Sequence, residues 1–209
     1  MDPRLFGHDS WATLHAVSLK HDLTPDASVS MSNAVQSFVN IFPRLVQCVV
    51  CRYPATDFHQ YLEGVQPTRD ETIRVVRSFP GAGLPTARAL AEKRLFERSV
   101  RLHNMVNKKI AMQRNSLVPA VFELEAARRL WTGNLRQTEQ LERHVWSYIT
   151  IVLLHYNGHG EKDKFELYRV FVSIVPLILA LLFPHRMKGT TMQKLTQYCF
   201  HNVRADSSE

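Results

Sequence analysis

His103-Asn104-Met105-Val106-Asn107-Lys108-Lys109 lies inside a run where Leu90, Leu95, Val100, Leu102, Val106 and Ile110 recur at roughly helical spacing. That periodicity predicts one long helix over 87–113. Thr86 caps it, after the turn cluster Pro80-Gly81-Ala82-Gly83-Leu84-Pro85. On this helix His103 and Asn107 are four residues apart and share a face. Trp11 and His15 have the same spacing, in a helix predicted over 11–22 with Asp9 or Ser10 as its cap and a stop at Thr24-Pro25. The pattern continues outward. A helix starting at Ser30 or Ser32 carries Val35, Phe38, Val39 and Phe42 on one face and is interrupted at Pro43. Shorter helices are expected over 56–62 and 68–79, and further ones over 120–131, 137–155, 162–183 and 191–203. Few segments alternate as strands do, and no period of roughly 20–50 residues repeats. The fold class is all-α.

Bulk composition agrees with an ordered globular protein that has a sizeable hydrophobic core. The chain has 209 residues, 45% of them hydrophobic, with little glycine and no long polar tract. Only the tail from Arg204 to Glu209 reads as unstructured. The net charge of +7 invites a polyanion partner. Lys and Arg are nevertheless dispersed along helical segments, with no block of like charge and no aromatic-spaced RNA motif, so nucleic acid is not expected as a partner. The apolar stretch from Val170 to Phe183 contains Ser173 and Pro176 and falls short of the ~20 apolar residues of a membrane span. It reads as a buried helix or an oligomer interface. Met1-Asp2-Pro3-Arg4 lacks the basic-then-apolar pattern of a cleaved signal peptide.

Three cysteines are present: Cys48, Cys51 and Cys199. They are too few for a secreted disulfide scaffold or a four-cysteine zinc site. Cys48-Val49-Val50-Cys51, preceded by Phe42-Pro43, can close a small reducible disulfide or share a metal ion. Alone, the pair does not decide between them. Likewise, a Trp/His pair is often core packing, and His-Asn in a basic helix is often solvated surface. His144, His155, His159, His185 and His201 have no carboxylate or cysteine at ligand spacing and read as structural or surface residues.

Taken in order, Gly7, Trp11 and His15, then Cys48 and Cys51, then His103-Asn104-Met105-Val106-Asn107 resemble the Erv/ALR family of FAD-linked sulfhydryl oxidases. Those proteins combine a W-x-x-x-H helix, a CxxC and an H-N-x-V-N string. The resemblance covers approximately residues 5–131. It implies a four-to-five-helix bundle binding FAD, followed here by an additional helical region. The corresponding division is 1–134 for the oxidase domain, with an insertion near 64–86, and 135–209 for a C-terminal extension. It further implies that Cys48 is the outer sulfur attacked by a protein dithiol substrate, and that Cys51 is the inner sulfur passing electrons to the flavin. O2 is then the acceptor and hydrogen peroxide the product. The implied cofactor-binding set is Gly7, His8, Trp11, His15, His103, Asn104, Val106, Asn107, Lys108, Lys109 and Trp131. Within it, Trp11, His15 and His103 offer flat surfaces and donors for an adenine. Asn107 suits ribose or base, and Lys108 or Lys109 the diphosphate. Trp131, after Arg128-Arg129, resembles the family's late tryptophan, although its spacing from Asn107 is longer than usual.

The chain also departs from the family pattern. His8 stands where the family commonly has arginine, Val100 stands where a structural cysteine often lies, and there is no second CxxC to serve as a shuttle. Cys199 reads as a buried free thiol. These features resemble the shuttle-less oxidases of large DNA viruses, including baculovirus-type enzymes with an extra helical domain. That resemblance implies a homodimer acting in the cytosol or nucleus on virion proteins, with no membrane span. Two other function classes compete. One is a non-catalytic helical binding module with a basic surface. The other is a zinc site formed by Cys48, Cys51 and two histidines.

Overall fold

The computed structural model describes residues 3–45, 95–113, 121–155 and 162–186. They form six helices: α1 (Pro3–Asp22), α2 (Val29–Leu45), α3 (Leu95–Gln113), α4 (Leu124–Asn134), α5 (Thr138–His155) and α6 (Lys162–Leu182). No strand occurs among the described residues, in agreement with the all-α reading. Cys48, Cys51 and Cys199, the expected helices over 56–62, 68–79 and 191–203, and the segment 64–86 lie outside the described residues.

The helix α1 is the axis of the bundle. It packs against each of the other five helices. Every side chain from Ala12 to Leu19 is buried, so no face of this stretch is left for solvent. The polar side chains in it are satisfied within the helix or across it. Thr13 Oγ1 donates to the Asp9 carbonyl at 2.8 Å, and Ser18 Oγ donates to the Leu14 carbonyl at 2.7 Å.

Around that axis, α2 lies against α6 and α5 lies against α1. Their contact is a ladder of rings. Phe38 meets Tyr148 edge-on at 6.0 Å, and Tyr148 meets Phe171 edge-on at 6.0 Å, all three fully buried. Leu14, Val17, Val35, Val145, Val175 and Leu179 fill the same core. Each such side chain contributes about 1.5–3 kcal/mol on burial. A single apolar core therefore draws on α1 and α2 on one side of Asn134 and on α5 and α6 on the other. The helix α6 is the apolar stretch flagged by the sequence, and it is buried at Phe171, Val172, Ile174, Val175, Ile178 and Leu179. No helix among the described residues is long and apolar enough to cross a membrane.

Helix ends are fixed by side chains. Ser28 Oγ accepts the Met31 N–H at 3.2 Å at the start of α2. The Glu123 carboxylate accepts the Ala126 N–H at 2.8 Å at the start of α4, which holds its carboxyl below the usual range. Asp22 acts over a longer distance. Its two oxygens accept the N–H groups of Leu95 and Phe96, each at 3.0 Å, so the last residue of α1 holds the first turn of α3.

Boundaries of three helices differ from expectation. The helix α1 begins at Pro3 rather than at residue 11, because proline is suited to a first turn whose N–H groups have no partner anyway. Asp9 and Ser10 are therefore interior residues and not caps. Pro43 does not interrupt α2, which runs on to Leu45; the bond the proline forgoes is the single one its N–H would make to the Val39 carbonyl. The fourth helix starts at Leu124 and continues through Gly133 to Asn134, later at both ends than the expected 120–131.

Candidate functional site

Trp11 and His15, singled out by their four-residue spacing, meet His103 of the second such pair, without Asn107. Trp11 and His103 lie ring on ring, 4.1 Å between centroids and 3° from parallel. Below them His15, 1% exposed, bonds its Nε2 to His103 Nδ1 at 2.9 Å. Trp131 of α4 closes on His15 at 5.1 Å. Phe122 closes on His103 at 5.0 Å, and Phe42 of α2 reaches Trp11 at 5.4 Å.

Hydrogen bonds fix the proton positions in this cluster. Ser99 Oγ donates to the Phe96 carbonyl at 2.7 Å, so it meets His15 Nδ1, 2.9 Å away, as an acceptor. His15 thus carries its proton on Nδ1 and offers the lone pair of Nε2. His103 Nδ1 donates to that lone pair, which leaves His103 Nε2 as an acceptor. Burial holds the His15 imidazole well below its ordinary range, and the neighbouring His103 adds to the effect. Burial likewise lowers His103, to about 4. Both rings are neutral at pH 7.

Beside the stack lies a cavity of about 460 Å³. Trp11, His103, Phe122 and Trp131 give it aromatic walls, while Gln137, Gln140 and Asn134 contribute amides and His8 and His144 stand at its edge. This size falls within the range of about 300–1,000 Å³ usual for small-molecule sites.

No family model, curated protein or solved structure matches the chain.

Of the residues expected to hold a cofactor, His8, Trp11, His103 and Trp131 line this cavity, and His15 supports them from behind. The others are placed differently. Asn104 has its amide taken up by Phe122: its Nδ2 donates to the Phe122 carbonyl and its Oδ1 accepts the Phe122 N–H, both at 2.8 Å. It positions the Phe122 wall. Val106 is 6% exposed and belongs to the apolar core. Gly7, Asn107 and Lys108 stand outside the cavity wall. The side chain of Lys109 lies outside what is described.

The sequence reading missed Phe122, Gln137, Gln140 and His144. It assigned His144 no carboxylate partner, yet His144 Nδ1 donates to Asp9 Oδ1 at 2.7 Å. The two residues are far apart along the chain, so spacing gives no signal. Ser147, one turn beyond His144, donates to the other oxygen of Asp9. Asp9, read as a helix cap, instead joins α1 to α5.

Proposed function

We propose that this chain is an FAD-linked thiol oxidase that makes disulfide bonds in protein substrates. The observation carrying this reading is the meeting of Trp11, His15 and His103 with Trp131 at one aromatic cavity. These residues come from three separated segments and were singled out by the resemblance. The donor set fits a flat heteroaromatic group. Aromatic walls stack on such a ring, and His103 Nε2 accepts from an amine or hydroxyl on its edge. An adenine has both a flat face and an exocyclic amine. The neutral His15 and His103 add no charge behind it, and the Ser99–His15–His103 chain keeps the accepting nitrogen turned to a single role.

In this reading a substrate thiolate attacks Cys48, breaking the Cys48–Cys51 disulfide and leaving a thiolate on Cys51. A second substrate thiolate then attacks the mixed disulfide, which releases the oxidised substrate and leaves Cys48 reduced. FAD, when bound, would supply the remaining chemistry, the transfer of the dithiol's electron pair to O2 with hydrogen peroxide as product. Phe42, on the helix that leads towards Cys48 in the sequence, packs on Trp11, which links that helix to the cavity wall. The same resemblance supports a homodimer that acts in the cytosol or nucleus of a host cell, with no nucleic-acid partner.

The test is the visible absorption of the purified protein before and after anaerobic dithiol. A flavin spectrum that bleaches, then returns with peroxide when air enters, is expected. Cys51→Ser should keep the colour and lose turnover. A colourless protein would sink the proposal and favour the binding module. Full turnover in Cys51→Ser would overturn the cysteine assignment.

A further inference from the structure

At the edge of the cavity, three side chains that ligate metals face one another across α1 and α5. Asp9 Oδ1 lies 2.7 Å from His144 Nδ1 and 3.6 Å from His8 Nδ1. One ligating atom from each of the three lies within 4.8 Å of the others. The His8 and His144 rings are 4.7 Å apart and tilted by 56°. We infer that His8, Asp9 and His144 form a binding site for a divalent transition-metal ion such as Zn2+, linking α1 to α5 beside the cavity.

The geometry suits the ion. Bonds of about 2.0–2.2 Å to nitrogen and oxygen place tetrahedral ligand atoms roughly 3.3 Å apart. The two distances to Asp9 Oδ1 fall on either side of that value, so small side-chain movements complete the set. Two imidazoles and one carboxylate favour Zn2+ and its transition-metal neighbours over Ca2+ or Mg2+, which take oxygen. The supporting shell is present as well. Ser147 Oγ donates to Asp9 Oδ2, which orients the carboxylate and leaves Oδ1 for the ion. His8 is largely exposed, and Asp9 and His144 are half-buried, so an ion has a path from solvent. Binding displaces the proton that His144 now donates to Asp9; it moves to Nε2 or to water, and the lone pair of Nδ1 turns to the metal. Three protein ligands leave at least one position for water or a ligand atom. The site does not depend on the thiol-oxidase reading.

The experiment uses the full chain, stripped with a chelator and titrated with Zn2+ against a chromophoric competitor. His8→Asn is the main variant, since His8 lies outside the core, and Ser147→Ala is the second. The wild-type protein should bind one Zn2+ equivalent more than His8→Asn at matched concentration. Ser147→Ala should weaken that equivalent by roughly 10-fold. Alkylating the cysteines should leave it in place. Co2+ in the site should show visible bands without the sulfur-to-cobalt absorption that a cysteine site would give. Equal Zn2+ uptake and affinity in wild type and His8→Asn would overturn the inference. So would metal uptake that disappears wholly on alkylation.

Discussion

His15 and His103 are two imidazoles kept neutral in a buried hydrogen-bonded chain, and that makes stability depend on pH. Their folded pKa values lie below those of the unfolded chain, so below the ordinary histidine range the unfolded state binds more protons than the folded one. Stability is therefore complete above pH ~6.5 and is lost as pH falls towards 4. For His103 alone, the step from pH 7.5 to 5 should cost about 2 kcal/mol in urea unfolding. His103→Phe should flatten that slope, and an equal slope in the variant would count against the assignment. The two four-residue pairs were legible because helical spacing alone puts them on shared faces. The roles of Asn104 and His144 were not legible. Asn104 spends its amide on the backbone of Phe122, and His144 pairs with Asp9, and both partners are supplied by the tertiary fold.

At the scale of elements, the position of His103 depends on how α3 is anchored. Asp22 holds the Leu95 and Phe96 amides, and α3 carries Ser99 and His103 one and two turns further on. Asp22→Ala should cost about 1–3 kcal/mol in denaturant unfolding, because it leaves two N–H groups without their charged acceptor. Asp22→Asn, which keeps one acceptor oxygen, should cost less than the alanine variant. An Asp22→Ala protein as stable as wild type would mean that the cap is replaced by water at no cost. The existence and order of these helices could be read from periodicity, and so could the ends of α5 and α6, but not the start of α1, the end of α2 or either end of α4. Pro3 and Pro43 each carry the general signature of a break. Their effect depends on whether the local amides need partners, which is a property of position within the helix rather than of residue type.

For the whole molecule, the expected division at residue 134 has a measurable consequence. The core residues Leu14, Val17, Phe38 and Val39 share one cluster with Val145, Tyr148, Phe171 and Ile178. A chain ending at residue 134 should therefore expose this surface and lose cooperative thermal unfolding by calorimetry. A sharp transition in that truncated chain would show that 1–134 folds by itself. The cavity depends on the same arrangement, since Gln137, Gln140 and His144 belong to the second part of the chain. Composition signalled a core and periodicity its helices, but neither could say which helices share one.

The central position of α1 also bears on the order of events during synthesis. Of the described helices α1 is made before the others, and its Asp9 receives partners 135 and 138 positions later, at His144 and Ser147, with its contacts to α6 later still. At roughly 5–20 residues per second, a ribosome takes on the order of ten seconds to reach them. During that interval the nascent α1 has its apolar surface uncovered, so the emerging chain is a client for holdase chaperones until its C-terminal half arrives.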